Sequence, residues 1–287
     1  MIGLPDLFFR IKRYAKKINA KLLHDSVEWY SPEEYKRGKL SIEYNLKILN
    51  NTKIIKEPWN VIAISKYLEN FYSDKGITTI RVPVIMDVFN VKEINKVKND
   101  KCIFVYAGVP GRKDYLDLMI EGFSMLPQEY RNKFEFHIFG ADENQLINQC
   151  GVKKQHITKL DKNLVIHGRV KREEVIKWIK KCNYTVLLRD DSLSYAKAGF
   201  PTKIVESLTY STPVICNYSS DLKDYLIDEN NAIIVQQFSP QEFCNAIIKG
   251  MKQGKDKQKE MQKNARKTAE KYFDYRAYSK KICDLLK

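Results

Sequence analysis

YTVLLRDDSLSYAKAGFPTKIVESLTYSTPVICN, residues 184–217, is the stretch on which the fold turns. Tyr184 to Leu188 is a short apolar run with β-branched members, the pattern of a buried strand. A polar loop with Asp190 and Asp191 follows, then Gly199, Pro201 and a helical pattern through Tyr210. Ile204, Val205 and Leu208 recur at helical spacing, while Lys203 and Glu206 fall on another face. Val214 to Cys216 reads as the next strand. Strand, Gly/Pro loop, helix and strand make one βαβ unit whose helix N-terminus stands at the carboxyl end of the first strand. Backbone N–H groups and positive dipole gather there, which favours an anion such as a diphosphate; Glu206 is placed to reach a ribose diol. A plain tight helix entry with Glu206 on the surface would use the same punctuation.

The rest of the chain repeats this rhythm. Over 287 residues helix-like and strand-like segments alternate, so the class is α/β with mainly parallel strands, in one large or two ordinary domains. Lys101 to Ala107 is a buried strand running into Gly108-Val-Pro-Gly111-Arg112-Lys113-Asp114 and a helix. Glycines there let backbone approach a phosphate, Arg112 supplies a planar fork and Lys113 a point charge. Further strands fall at Phe134–Phe139, Leu164–Ile166, leading into His167-Gly168-Arg169-Val170, and Ala232–Val235. Upstream, Lys21–Leu23, Trp59–Ile64 and Thr79–Val84 read as strands, with His24 in the loop after the first, where imidazole could share a proton.

The net charge of +15 suits anionic partners: nucleoside diphosphates, anionic lipid or nucleic acid. No nucleic-acid-binding motif accompanies it, and the basic residues spread over many helices, so nucleic acid is not expected. Leu7, Phe8, Ile11, Ala15, Ile18 and Leu22 form an apolar stripe beside Arg10, Lys12, Arg13, Lys16, Lys17 and Lys21. This suits either a helix packed on a sheet or one lying on a membrane surface. The six scattered cysteines lack a C-x-x-C pair, and neither a transmembrane run nor a secretory signal appears. Reduced thiols in a cytoplasmic protein are expected; no metal-binding spacing occurs, so no metal and no bound cofactor are expected.

AGFPTKIVESLTYSTPVI resembles the donor-site signature of retaining family-4 (group 1) glycosyltransferases with the GT-B fold, in a subgroup acting on bacterial surface polysaccharides. Gly199, Phe200 and Glu206 match that signature, Pro201 replaces its second glycine, and Ala198 stands where its first glutamate would be. AGVPGRKD resembles the family's diphosphate-holding loop, with Asp114 in place of a glycine. ISKYL…RVPVIMD resembles the passage closing the family's first domain, and HDSVEWYSPEEY a segment of its acceptor domain.

The resemblance implies two Rossmann-like domains, the N-terminal one incomplete: residues 1–97 with the linker, a donor domain over 98–273, and a helix over 274–287 crossing back to the first domain. About three strands precede the linker, where a doubly wound domain has about six. It further implies transfer of a hexose-type sugar, with retention, from a nucleoside-diphosphate sugar to a saccharide or lipid-linked saccharide hydroxyl, in capsular, exopolysaccharide or lipopolysaccharide assembly. Lys113, Lys203 and His24 would serve catalysis. Gly108, Gly111, Arg112, Gly168, Gly199, Phe200, Pro201, Thr202 and Glu206 would hold the donor. The alternative is a non-catalytic nucleotide-sugar-binding remnant without a complete acceptor domain. Peripheral contact with an anionic membrane, at the inner face of the cell membrane, is a further expectation.

Overall fold

The elements follow one another as α1 (Pro5–Lys17), β1 (Leu22–Ser26), α2 (Ile42–Leu49), β2 (Trp59–Ala63), α3 (Lys66–Ser73) and β3 (Thr79–Arg81). Then come β4 (Cys102–Ala107), α4 (Leu116–Ser124), β5 (Phe134–Phe139), α5 (Glu143–Asn148), α6 (Lys154–Leu160) and β6 (Leu164–Gly168). The chain continues through α7 (Arg172–Lys181), β7 (Tyr184–Leu187), α8 (Ser194–Ala198), α9 (Thr202–Thr209) and β8 (Val214–Cys216). It closes with β9 (Ala232–Ile234), α10 (Pro240–Lys252), α11 (Lys255–Tyr272) and α12 (Ser279–Leu286). This computed structural model describes residues 5–56, 58–92, 100–109 and 113–287. Gly111, Arg112 and most of the expected linker therefore lie outside the described residues.

Two compact units result. One comprises the described residues through Ile85 with 191–200 and 275–287; the other comprises those of 86–190 and 201–274. The sequence reading set its seams at 97/98 and 273/274. Met86 to Phe89 join the second unit because buried groups hold them there. Asp274 accepts the Val88 amide at 2.9 Å, and Arg266 donates to the Val88 carbonyl at 2.9 Å and the Thr209 carbonyl at 2.8 Å.

The first unit has a parallel sheet ordered β1-β2-β3. Trp59, Val61 and Ala63 alternate inward on β2 and pack with Leu68 and Tyr72 of α3. Phe8 and Ala15 bring one face of α1 onto this core, whereas Leu7, Phe9, Ile11, Tyr14 and Ile18 stay exposed. The apolar stripe of α1 is thus divided between core and solvent. At the chain's end, α12 belongs to this unit: Asn60 donates to the Leu285 carbonyl at 3.2 Å and Leu285 is buried.

The second unit has a parallel sheet ordered β6-β5-β4-β7-β8-β9. Both faces are covered, so β4 is apolar throughout: Phe104 stacks on Tyr184 at 5.9 Å, while Ile103 and Val105 face Ile179 and Tyr210. Phe123 of α4 lies 4.3 Å from Phe136 and 5.6 Å from Phe243 of α10, fixing those helices on one face. The strand order reverses between β4 and β7. That reversal leaves a crevice beyond the strands' carboxyl ends, where open α/β sheets take ligands.

Candidate functional site at the strand-order reversal

Four segments meet at the carboxyl ends of the paired strands β4 and β7, each for a local reason. Tyr106 sits near the end of β4, with its ring buried and its hydroxyl reaching upward. Asp114 precedes α4 and is buried too. Arg189 follows β7, its backbone clamped by Asn217: the Asn217 Oδ1 accepts the Arg189 amide at 3.0 Å and its Nδ2 donates to the Arg189 carbonyl at 2.7 Å. Lys203 lies in the first turn of α9, whose N-terminus no side chain caps.

Their polar atoms interlock. Lys203 Nζ donates to the Tyr106 hydroxyl at 2.8 Å and to Asp114 Oδ2, and stands 4.3 Å from the Tyr106 ring centroid. Tyr106 donates to the same Oδ2 at 2.9 Å, and Arg189 Nε donates to Asp114 Oδ1 at 3.1 Å. Burial works to raise the Asp114 pKa, but the Lys203 and Arg189 cations outweigh it and hold the carboxyl below its usual range. Burial pulls Lys203 downward, with Asp114 opposing; burial and then Asp114 push the Tyr106 phenol well up.

Gly108 makes room for this ammonium. Its φ of +151° is a conformation few side chains adopt, and a Cβ there would stand 2.6 Å from Lys203 Nζ. Lys203 remains about a quarter exposed, so the cation is reachable. One turn along α9, Glu206 pairs with Arg172 at 2.8 Å. Across β5, Gly168 has φ +65° and its carbonyl accepts the Gly140 amide at 2.7 Å. His167 stacks on Phe139 at 4.1 Å and hydrogen-bonds His137 at 2.9 Å; both imidazoles are lowered in pKa, first by burial. An open space of about 370 Å³ adjoins Asp114, bounded by Tyr115, Asp117, Gln149 and Cys150.

Several predicted residues thus converge. Gly108, Lys203 and Glu206 share the crevice, and Lys113 immediately precedes Asp114 in the chain. Pro201 and Thr202 begin α9 in the same unit, whereas Gly199 and Phe200 belong to the first unit. Gly199 is not a special-φ turn: it caps α8, a helix absent from the sequence reading, with φ −84°. His24 also differs in position. It lies inside β1 rather than in a loop, because β1 continues to Ser26 beside β2. Its ring packs edge-on to Tyr72 at 6.1 Å, and burial lowers its pKa to about 4. Asp114, Tyr106, Arg189 and Asn217 were not singled out for function. The one available signal was a carboxylate directly after two cations in a glycine-bearing loop. Among the described residues no cluster of side chains has a metal-binding arrangement.

Comparison with known proteins bears on the family and the fold. The pattern of the family described as "Glycosyl transferases group 1" matches residues 87–268. An uncharacterized glycosyltransferase of Methanocaldococcus jannaschii is 22% identical over 255 residues, covering 86% of this chain and 62% of that protein. The chain thus spans under two thirds of that curated relative. HepE of Anabaena, crystallised in complex with UDP, matches with a TM-score of 0.72 at 15% identity, over 99% of this chain and 76% of HepE. WaaG, a glycosyltransferase involved in lipopolysaccharide biosynthesis, matches with a TM-score of 0.67 at 15% identity, over 96% of this chain and 80% of WaaG. The fold class they share with this chain is GT-B.

Proposed function

Because this chain belongs to the group 1 glycosyl transferases, we propose that it moves a sugar from a nucleoside-diphosphate sugar to a hydroxyl acceptor. The observation that carries this reading is Lys203 seated over Gly108 at the reversal between β4 and β7. A cation on a glycine floor, beside an uncapped helix N-terminus, is the arrangement a diphosphate requires.

In this reading the diphosphate lies across Gly108 and the start of α9, at Pro201 and Thr202. Lys203 and Lys113 face its growing negative charge as the sugar–oxygen bond breaks. Fixed cations and N–H groups lower the barrier because that charge is greater in the transition state than in the ground state. Glu206 takes the ribose hydroxyls after releasing Arg172, and the turn at Gly168 flanks the base. Gly111 and Arg112 extend the phosphate loop, and Gly199 and Phe200 set the chain's entry into α9. Transfer proceeds with retention, the departing diphosphate helping to deprotonate the acceptor on the same face. His24, neutral at physiological pH, serves as a hydrogen-bonding group of the acceptor side. UDP is the first donor nucleotide to test, since HepE binds it. A hexose and a saccharide or lipid-linked acceptor in surface-polysaccharide assembly complete the proposal. The exposed apolar and basic residues of α1 favour contact with an anionic membrane.

A panel of nucleoside-diphosphate sugars tests the reading. At least one should raise the melting temperature, by about 2.7 kcal/mol of stabilisation at a hundredfold excess over Kd. Its sugar should then appear on a saccharide acceptor. Lys203→Ala and Lys113→Ala should each weaken donor binding about tenfold or more by calorimetry, as expected for a lost charge-assisted contact. Unchanged affinity in both removes the lysines from the site. Binding without transfer to any acceptor leaves a nucleotide-sugar-binding protein.

A further inference from the structure

The crevice contains an anion of its own. Asp114 is buried and carries both Lys203 and Arg189, so it engages the same ammonium that a bound phosphate would have to engage. A carboxylate beside a phosphate site repels its ligand unless it does something else there. Here its two oxygens are divided: Oδ1 takes Arg189, and Oδ2 takes Lys203 and Tyr106. Two cations on one carboxylate leave net positive charge. The bridge ties the loop before α4 to the end of β7 and to the first turn of α9. Without it, Lys203 would be a long flexible cation next to a like-charged guanidinium in a poorly solvated crevice.

We propose that Asp114 is the positioning residue of the diphosphate site: it holds the Lys203 ammonium charged and in place over Gly108 in the empty protein and yields it to the phosphate on binding. This rests on the reading of Lys203 as a donor-phosphate ligand. Arg189, anchored by Asn217, balances the carboxylate so that the exchange does not leave a bare anion beside the diphosphate. Among the described residues, the charged and titratable groups acting on Lys203 are Tyr106 from β4, Asp114 from the loop before α4, Arg189 after β7 and Glu206 on α9 itself. Glu206 is engaged by Arg172, which leaves Asp114 as the principal counter-charge.

The test is calorimetric titration with inorganic pyrophosphate and with UDP, carried from about pH 6.5 into the alkaline range. In Asp114→Asn the alkaline loss of affinity should move down by about 1–3 pH units relative to the wild type, the effect of removing one close opposite charge. Asp114→Glu should restore the wild-type profile. Arg189→Gln, which removes the competing cation, should move the alkaline limb the other way while weakening binding at neutral pH. Comparing variants against one probe cancels the probe's own titration.

Coincident profiles for wild type and Asp114→Asn, both folded by circular dichroism, overturn the inference. If Asp114→Asn does not fold, Arg189→Gln decides: a limb unmoved or shifted downward overturns it equally. Lys203→Ala separates the two levels. If it binds pyrophosphate and UDP as the wild type does, or if the wild type binds neither, the donor-site reading falls and the inference with it. If Lys203→Ala loses binding while the profiles coincide, only the role of Asp114 falls.

Discussion

Gly108 and Gly140 sit at the ends of neighbouring strands, and a single methyl group added to either has a different consequence. At Gly108 the new Cβ meets the movable end of the Lys203 side chain; at Gly140, with φ +101°, it meets the Gly108 backbone carbonyl. Gly108→Ala should therefore keep the fold at a cost of about 1–3 kcal/mol for its φ, while expelling the ammonium and weakening pyrophosphate binding about tenfold or more. Gly140→Ala should cost more stability than Gly108→Ala, because backbone cannot move aside. Denaturant melts and calorimetry on both variants check the contrast, and equal melts would contradict it. His24 makes the other residue-scale prediction. Its folded pKa of about 4 lies below its ordinary value of 6.5. Between those values the unfolded chain binds a proton that the folded chain does not, so stability is complete above pH 6.5 and falls as pH drops toward 4. The loss reaches up to about 3 kcal/mol. His24→Phe should flatten this acid limb; urea midpoints at pH 7 and pH 5 that fall equally in both proteins would show that His24 is not its source.

At the scale of elements, periodicity carries much and stops at short segments. The runs at Phe134–Phe139 and Val214–Cys216 form strands with the bounds expected of them, since apolar runs of that length between turn signals have few other outcomes. The helix α8 has five residues, too few for a period to show. Tertiary contacts make it: Tyr195, Ala196 and Ala198 are buried, and Ser65 donates to the Ala198 carbonyl at 2.6 Å. β1 outran its expected end at Leu23 because pairing with β2 continues to Ser26. For α1, composition allowed a packed helix or a membrane-surface helix, and the structure buries Ala15 and half-buries Phe8 while leaving Leu7, Ile11, Tyr14 and Ile18 outward beside basic residues. The protein should therefore sediment with vesicles rich in phosphatidylglycerol but not with phosphatidylcholine alone, less so at high salt. Replacing Ile11 and Tyr14 by serine should reduce the bound fraction severalfold. Equal sedimentation with both lipids, or none with either, would remove the membrane from the proposal.

Across the whole molecule, alternating apolar runs and glycine-bearing loops were enough to determine the α/β class and the family likeness of residues 184–217, and with them Gly108, Lys203 and Glu206 as candidates. Those features are local, because strand length, turn chemistry and helix period are set by neighbours in the chain. Among the described residues no helix is long and apolar enough to cross a membrane, as hydropathy along the chain already indicated. Only the tertiary structure decided that residues 191–200 leave the second unit for the first, and that β4 and β7 become neighbours across the reversal of strand order. It alone brought Asp114 and Arg189, 75 residues apart, onto one carboxylate-centred bridge with Lys203. Charge pairing over such separations depends on which strand ends lie side by side, and that order is settled by burying both faces of the sheet at once, a condition no short stretch of sequence contains.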